Sequence, residues 1–350
     1  MGNIKKQKIL LGMSGGTDSS VAAILLMEQG YEVLGITFRF WEEGVNSHLQ
    51  DARNLARQLG IEHYVYDACD IFRETVVRYF TEEYLAGRTP FPCVKCNNEL
   101  KWKLILEEAD RLGCEKVAMG HYVRMEKDNG LFFLREGVDP DKDQSFFLWG
   151  LTHSQLSRIV FPLGKYFKTE IRRIAAKNGF KQMSEKKDSL GACFCSGDYR
   201  PFLKSQLAEP QKYIYPGNFI DEQGQILGTH QGYPLYTVGQ RRGLIHLNRR
   251  TFVKEIRPET NEVVLTSLQN MYKTVFMVYN VNVVDSKLFG PDFNTIIRIR
   301  YRKQNTPGRV VLLENNTARI ELAAPLESVA PGQTAVFYRD GRVLGGGFIV

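Results

Sequence analysis

Two groups of residues in this 350-residue chain have types and spacings that can do chemistry. The first is the run Gly12, Met13, Ser14, Gly15, Gly16, Thr17, Asp18, Ser19, Ser20, between the apolar stretch Ile9, Leu10, Leu11 and a helical pattern starting at Val21. Glycines let the backbone turn tightly and point N–H groups inward. The serines add hydroxyls, and a helix N-terminus adds partial positive charge. The sum is an anion cradle made of neutral donors. It is not a Walker loop, which needs Gly-Lys-Ser/Thr, and its spacing fails the G-x-G-x-x-G fingerprint. Asp18 is suited to holding Mg²⁺ near phosphates.

The second group is sulfur. Of the six cysteines, Cys93 and Cys96 form a C-x-x-C and Cys193 and Cys195 a C-x-C, while Cys69 and Cys114 stand alone and suit a core or loop role. Lys95 and Lys101 flank the first pair, and Lys186 and Lys187 precede the second. Such surroundings predict lowered thiol pKa values. Cys96 lies just before the pattern Asn98–Trp102, whose helix N-terminus would stabilise a thiolate further. Three chemistries remain open on these residues. They are a structural zinc site on all four thiols, an iron–sulfur cluster on three or four of them, and persulfide transfer with a disulfide step.

These groups must be held by regular elements. To about residue 150, strand patterns alternate with helical ones: Lys8–Met13, Tyr31–Trp41, Glu62–Ala68 and Lys116–His121 read as strands. Helical patterns fill the intervals, one of them capped by Asp70 and stopped at Gly87. The alternation predicts an α/β domain with a parallel sheet. Leu156–Gly164 and Lys168–Gly179 read as helical; from about residue 213, short β-rich runs with turn residues take over. The expected order is a catalytic domain over 1–205, a small central domain over 206–272 and a C-terminal β-barrel over 273–350.

Apolar residues are 43% and charged residues 24% of the chain, which excludes a disordered protein. No apolar run approaches the roughly 20 residues of a membrane span, and no secretory signal is legible, so a cytoplasmic protein with no membrane partner is expected. The net charge of +7 favours a polyanion.

The loop Ser14-Gly15-Gly16-Thr17-Asp18-Ser19 after a strand resembles the pyrophosphate loop of the ATP pyrophosphatases, whose domain is of the adenine nucleotide α-hydrolase type. Further motifs follow it in order: Gly87-Arg88-Thr89-Pro90 with Pro92, Cys96 and Asn97; Gly120–Arg124; Asp141–Leu148; Lys187-Asp188-Ser189 with Gly191, Cys193 and Phe194; and Thr237–Leu244. Together they resemble the bacterial tRNA-specific 2-thiouridylases (the MnmA family) over essentially the whole chain. The resemblance implies an ATP-dependent tRNA sulfurtransferase. ATP adenylates the C2 oxygen of the wobble uridine (U34), a persulfide on Cys193 delivers sulfur, and Cys96 is the nucleophile that closes a disulfide with Cys193. It implies tRNA and a sulfur-donor persulfide protein as partners. It implies that Gly12, Met13, Ser14, Gly15, Gly16, Thr17, Asp18, Ser19, Phe38 and Gly120 hold ATP with Mg²⁺.

The resemblance also places Phe91, Pro92 and Cys93 at the target base and Lys142, Asp143 and Gln144 on tRNA, and the residues themselves add Arg300 and Tyr301 as expected tRNA contacts. Arg298, Arg300, Arg302 and Lys303 alternate with Ile299 and Tyr301, which on a strand would give a basic stripe for phosphates. Many members carry Asp where this chain has Cys93, so Asp-based proton transfer lacks its residue here. A [4Fe-4S] cluster on Cys93, Cys96 and Cys193 is the alternative that this departure favours. Two other functions compete: another AMP-forming enzyme of the loop family, such as a lysidine synthetase or amide ligase, and a non-catalytic, metal-stapled tRNA-binding protein.

Overall fold

The computed structural model describes residues 6–41, 45–180, 191–195, 197–246, 250–292, 294–301 and 304–350, and the side chains of 45–48 are outside the description. The chain forms two compact units. One comprises Met1–Thr75, Cys93–Phe194 and Asp340–Leu344; the other comprises Val76–Pro92, Cys195–Arg339 and Gly345–Val350.

In the first unit, β1 (Lys8–Gly12), β2 (Glu32–Arg39), β3 (His63–Asp67), β4 (Lys116–Met119) and β7 (Ile159–Val160) make a parallel sheet in the order β3-β2-β1-β4-β7. Strand order reverses between β1 and β4, and ligands of such sheets bind beyond the carboxyl ends at that point. The period of two decides which face each residue serves. Ile9, Leu11 and Met13 join a buried cluster with Val21–Leu26, Leu55, Ile171 and Ala175 of the helices Thr17–Glu28, Val45–Leu59 and Lys168–Lys177. On the other face, a methyl group at Gly12 would meet Ile105 of the helix Trp102–Arg111 at 3.6 Å.

Three local readings are corrected here. Leu156–Gly164, expected as a helix, contains strand β7, because two β-branched residues add to the sheet edge beside β4. Asp70 does not cap its helix, which starts at Cys69 after Ala68, two residues too early for that role. An antiparallel hairpin of β5 (Val123–Asp128) and β6 (Leu131–Glu136) was not anticipated, although Asn129-Gly130 is its turn signal and both residues have positive φ, 48° and 81°.

In the second unit, β8 (Gly217–Ile220), β9 (Ile226–His230), β10 (Phe252–Arg257) and β11 (Glu262–Thr266) form a sheet in the order β10-β11-β8-β9. Phe219, Tyr236, Val253, Val263 and Leu265 build its own core. The strands β12 (Tyr272–Val283), β13 (Thr295–Arg298), β14 (Thr306–Leu312), β15 (Ala318–Glu327), β16 (Thr334–Arg339) and β17 (Arg342–Ile349) follow. They run in the order β12-β15-β14-β13-β16-β17, and β12 also pairs with β17 through Val278 and Ile349, which closes a barrel. Closure removes the unpaired edges an open sheet would expose. Among the described residues, no helix is long and apolar enough to cross a membrane.

Candidate active site

The glycine-rich loop leaves the carboxyl end of β1. Met13 N–H donates to the Ile36 carbonyl at 2.7 Å, which anchors the loop's start to β2. Gly15 takes φ +69°, and a methyl group there would stand 2.6 Å from the backbone nitrogen of Ala52. Ser14 N–H donates to Ser19 Oγ at 3.3 Å, and the hydroxyls of Ser19 and Ser20 donate to the Gly16 carbonyl at 3.0 and 2.9 Å. Gly16 is the N-cap of the helix Thr17–Glu28 and offers no side-chain cap. First-turn N–H groups have no intrahelical acceptor, so this end of the helix is left for an anion. Gly120 lets the loop pack closely: a methyl group on it would meet Asp18 and the Ser19 nitrogen at 3.3 Å. Phe38, at the end of β2, is half-buried with its ring 5.7 Å from both Phe40 and Tyr66.

Asp18 is the loop's one carboxylate, and it is engaged. Lys168 Nζ donates to its two oxygens at 2.7 and 2.8 Å, and the Tyr122 hydroxyl donates to Oδ1 at 2.6 Å. Neither Lys168 nor Tyr122 was anticipated. Sequence offers no spacing signal for a contact across 150 residues, and the only hint was a lysine opening a helical pattern. One partly exposed carboxylate suits Mg²⁺ held largely by phosphate oxygens and water.

The sulfur site lies in the same unit. A continuous helical run carries Cys93 and Cys96: an α-turn at Pro92–Lys95, a π-helical stretch at Cys96–Lys101 and the α-helix Trp102–Arg111. Cys96 is therefore inside a helix rather than before one, and the expected help from a helix N-terminus is absent. Phe194 fixes the other cysteine, packing 5.6 Å from the Phe72 ring and 6.3 Å from Trp41. Its neighbour Cys193 is exposed.

The lowered thiol pKa values expected from neighbouring lysines are reversed. Burial pushes the Cys96 thiol up to about 11. Lys101 counteracts this, while Cys193 and Cys93 lie near enough that their charges add to the rise. Burial also raises Cys93, and partial loss of solvent around the sulfur raises the otherwise exposed Cys193, each against Lys101. Lys95 is spoken for by Glu99 at 2.5 Å, and Lys186 and Lys187 lie outside the described residues. Cys195 belongs to the second unit, where its buried thiol faces the Asp198 carbonyl at 4.0 Å.

The remaining residues singled out from sequence divide. Asp143 accepts from Gly137 N–H, Ser145 N–H and Ser145 Oγ at 2.9, 3.2 and 2.8 Å, and burial raises its pKa against those bonds. Gln144 Oε1 accepts from Tyr122 N–H at 3.0 Å, so this segment positions the tyrosine that holds Asp18. Lys142 is half-buried beside them. Phe91 and Pro92 fall in the second unit, where Gln333 Nε2 holds the carbonyls of Thr89 and Pro90 at 3.0 and 3.1 Å and Phe91 N–H donates to the Tyr79 hydroxyl at 3.4 Å. Strand β13 ends at Arg298, so the alternating stripe does not extend along a strand. Arg300 and Tyr301 follow its end, Arg300 donates to the Glu327 carbonyl at 2.8 Å, and Arg302 and Lys303 lie outside the described residues.

Comparison with known proteins decides the family. The model of a family described as tRNA methyl transferase HUP domain matches residues 7–197. A PRC-barrel domain of the same series matches 200–267, and an aminomethyltransferase β-barrel domain matches 273–349. The tRNA-specific 2-thiouridylase MnmA 2 of Phocaeicola vulgatus is 51% identical over 98% of both chains. MnmA 1 of Bacteroides fragilis is 50% identical over 99% of this chain and 98% of its own. The chain belongs to the tRNA-specific 2-thiouridylase family. That family comprises tRNA sulfurtransferases. The first matched segment contains the parallel sheet, the second the β8–β11 module and the third the strands of the closed barrel.

For a thiouridylase, the arrangement of sulfur is the informative feature. Among the described residues, no group of three or more His, Cys, Asp or Glu side chains is arranged to hold a metal ion. Cys93 and Cys193 both lie near enough to Cys96 to influence its thiol. Burial pushes the pKa of His121 down to about 3, so its ring is neutral, and it packs against Trp102 at 5.4 Å.

A direct consequence concerns pH. Because the raised pKa keeps Cys96 protonated at neutrality, its alkylation rate in the tRNA-free protein should climb about tenfold per pH unit between about pH 7 and 9.5. The climb should show no plateau short of about 11. Iodoacetamide labelling read by peptide mass spectrometry measures this. A plateau by about pH 8 would show a thiol activated in the resting protein, against the burial argument.

Proposed function

We propose that this protein uses ATP to replace the C2 oxygen of the wobble uridine (U34) in tRNA with sulfur. The observation that carries the reading is that Cys193 lies near enough to Cys96 for its charge to raise the Cys96 thiol further, within the unit whose central strand ends in the glycine-rich loop. The loop holds the triphosphate of ATP with its first-turn N–H groups. Gly120 and Phe38 border the adenosine. Asp18 would hold Mg²⁺ beside the phosphates, where the ion would shield charge on the departing pyrophosphate.

The uracil oxygen attacks the α-phosphorus, which turns a poor leaving group into AMP. The terminal sulfur of a Cys193 persulfide then attacks C2, and AMP departs with the original oxygen. Cys96 attacks Cys193 Sγ, the bond between that sulfur and the transferred one breaks, and 2-thiouridine leaves. The Cys96–Cys193 disulfide is reopened by an external thiol, and a persulfide-carrying donor protein reloads Cys193.

Residues 1–205 carry this chemistry in the proposal, with 206–272 and 273–350 serving tRNA. Phe91 and Pro92 meet the extruded base, as enzymes acting on a stacked base require. Lys142, Asp143, Gln144, Arg300 and Tyr301 contact tRNA, and Gln144 also accepts from Tyr122 N–H. The family lineage of the relatives supports this over a lysidine synthetase or amide ligase, which need no paired cysteines.

The test is anaerobic incubation of the protein with ATP, a persulfide donor and unmodified tRNA, assaying thiolated nucleoside, AMP, and bound iron and zinc. 2-Thiouridine formed with equimolar AMP and no stoichiometric metal supports the reading. AMP without thiolation points to another member of the loop family, and thiolation that tracks iron content replaces the persulfide route with a cluster.

A further inference from the structure

The loop over 12–20 has no lysine, yet an ammonium group stands at it. Lys168 opens the helix Lys168–Lys177, and its Nζ sits 2.7 and 2.8 Å from the two oxygens of Asp18. Its side chain is only 9% exposed. Three features hold it in place. Its backbone N–H donates to Asp139 Oδ2 at 2.8 Å, its ammonium lies 5.7 Å from the Tyr122 ring centroid, and the Tyr122 hydroxyl shares the same Asp18 oxygen. Asp139 is itself buried and takes the Asp141 N–H at 3.0 Å. An ammonium withdrawn from water is costly unless paired. Here the pairing occupies the one carboxylate of the anion loop.

We infer that Lys168 is the diphosphate-binding cation of this site, parked on Asp18 until nucleotide arrives. When ATP enters, the ammonium turns from Asp18 to the β- and γ-phosphate oxygens, and Asp18 is released toward Mg²⁺. The inference rests on the nucleotide reading of the loop and specifies which part of the nucleotide this residue recognises. The chemistry gives the reason. As the bond to the α-phosphorus breaks, negative charge grows on the pyrophosphate, and neutral N–H donors alone leave that charge unbalanced. A lysine supplies a compact positive charge on a flexible stem, which can follow the departing group. Since AMP lacks the β- and γ-phosphates, Lys168 contributes little to holding it.

Calorimetric titration of the full-length protein with ATP, inorganic pyrophosphate and AMP, without added metal, tests this. Lys168→Met should weaken ATP and pyrophosphate at least about tenfold and change AMP less than about twofold. Lys168→Arg should recover most of the loss, which also controls for folding. Asp18→Asn, which removes the competing carboxylate, should bind metal-free pyrophosphate at least as tightly as the parent. Parallel losses in Lys168→Met and Asp18→Asn, or equal losses for pyrophosphate and AMP, would make Lys168 a structural partner of Asp18 and overturn the inference. If the parent binds ATP and Lys168→Met binds it equally well, this inference alone falls. If the parent binds neither ATP nor pyrophosphate, the nucleotide reading falls and takes the inference with it.

Discussion

Cys193→Ser should abolish thiolation, by at least about 10³-fold in single-turnover rate, while ATP binding stays within about twofold of the parent. Serine cannot carry a persulfide, so no sulfur reaches C2 whatever the state of the nucleotide. Cys96→Ser should fail differently. The persulfide on Cys193 still forms and can still attack, but the sulfur bridge to Cys193 lacks its resolving thiol. A covalent enzyme–tRNA adduct sensitive to reductant should therefore accumulate. Gel-shift before and after dithiothreitol, with mass spectrometry of the Cys193 peptide, distinguishes the two variants. Full activity in either would remove the paired-cysteine mechanism. The raised thiol pKa of Cys96 bears on timing, because a thiol near 11 is almost wholly protonated at neutral pH. Productive binding must change the surroundings of Cys96 before the resolving step, either by bringing a base or by relieving burial. The π-helical stretch that starts at Cys96 is an irregularity of the kind often found at functional sites.

The second large effect concerns two adjacent glycines. Gly15→Ala should lower ATP affinity by at least about 10²-fold, because alanine at positive φ costs about 1–2 kcal/mol and the overpacking costs about 1–3 kcal/mol more. The added methyl group would stand 2.6 Å from Ala52 N and from Asp51 Cβ, and the first of these is backbone that cannot swing aside. Gly16→Ala is the control. A methyl group there meets nothing closer than Ser14 Oγ at 3.5 Å, and Gly16 has φ −94°, so its effect should stay within about threefold. Nucleotide titration with thermal unfolding of both variants measures the contrast. Equal losses would mean that the loop's function depends on glycine flexibility in general rather than on one constrained turn.

The parts of this fold that were legible in sequence are those with local signals. Strand β1, the loop after it and the helix from Thr17 could be read because apolar run, glycines and helical pattern adjoin one another. The barrel strands could be read from short alternating runs and turn residues. What escaped depends on distance or burial. Strand β7 is two residues long, and only the neighbouring β4 makes it a strand. Lys168 and Tyr122 reach Asp18 from remote segments, and no local pattern marks them. The thiol pKa values went the wrong way because sequence shows which lysines are near but not how much solvent is lost. Lys95 looks like a neighbour of Cys96 in sequence, yet its charge is met by Glu99. Gln144 accepts from Tyr122 N–H and Asp143 from Gly137 N–H, contacts that no local pattern marks.

The central claim is that sulfur leaves Cys193 by attack of Cys96, and a single turnover tests it most directly. The protein is loaded with one persulfide equivalent, reductant is removed, and ATP and unmodified tRNA are added. Reaction is quenched with acid, and cysteine-containing peptides are mapped. The account predicts a Cys96–Cys193 disulfide in equimolar amount with 2-thiouridine, absent when ATP is omitted. 2-Thiouridine formed in full yield with both thiols free would contradict it.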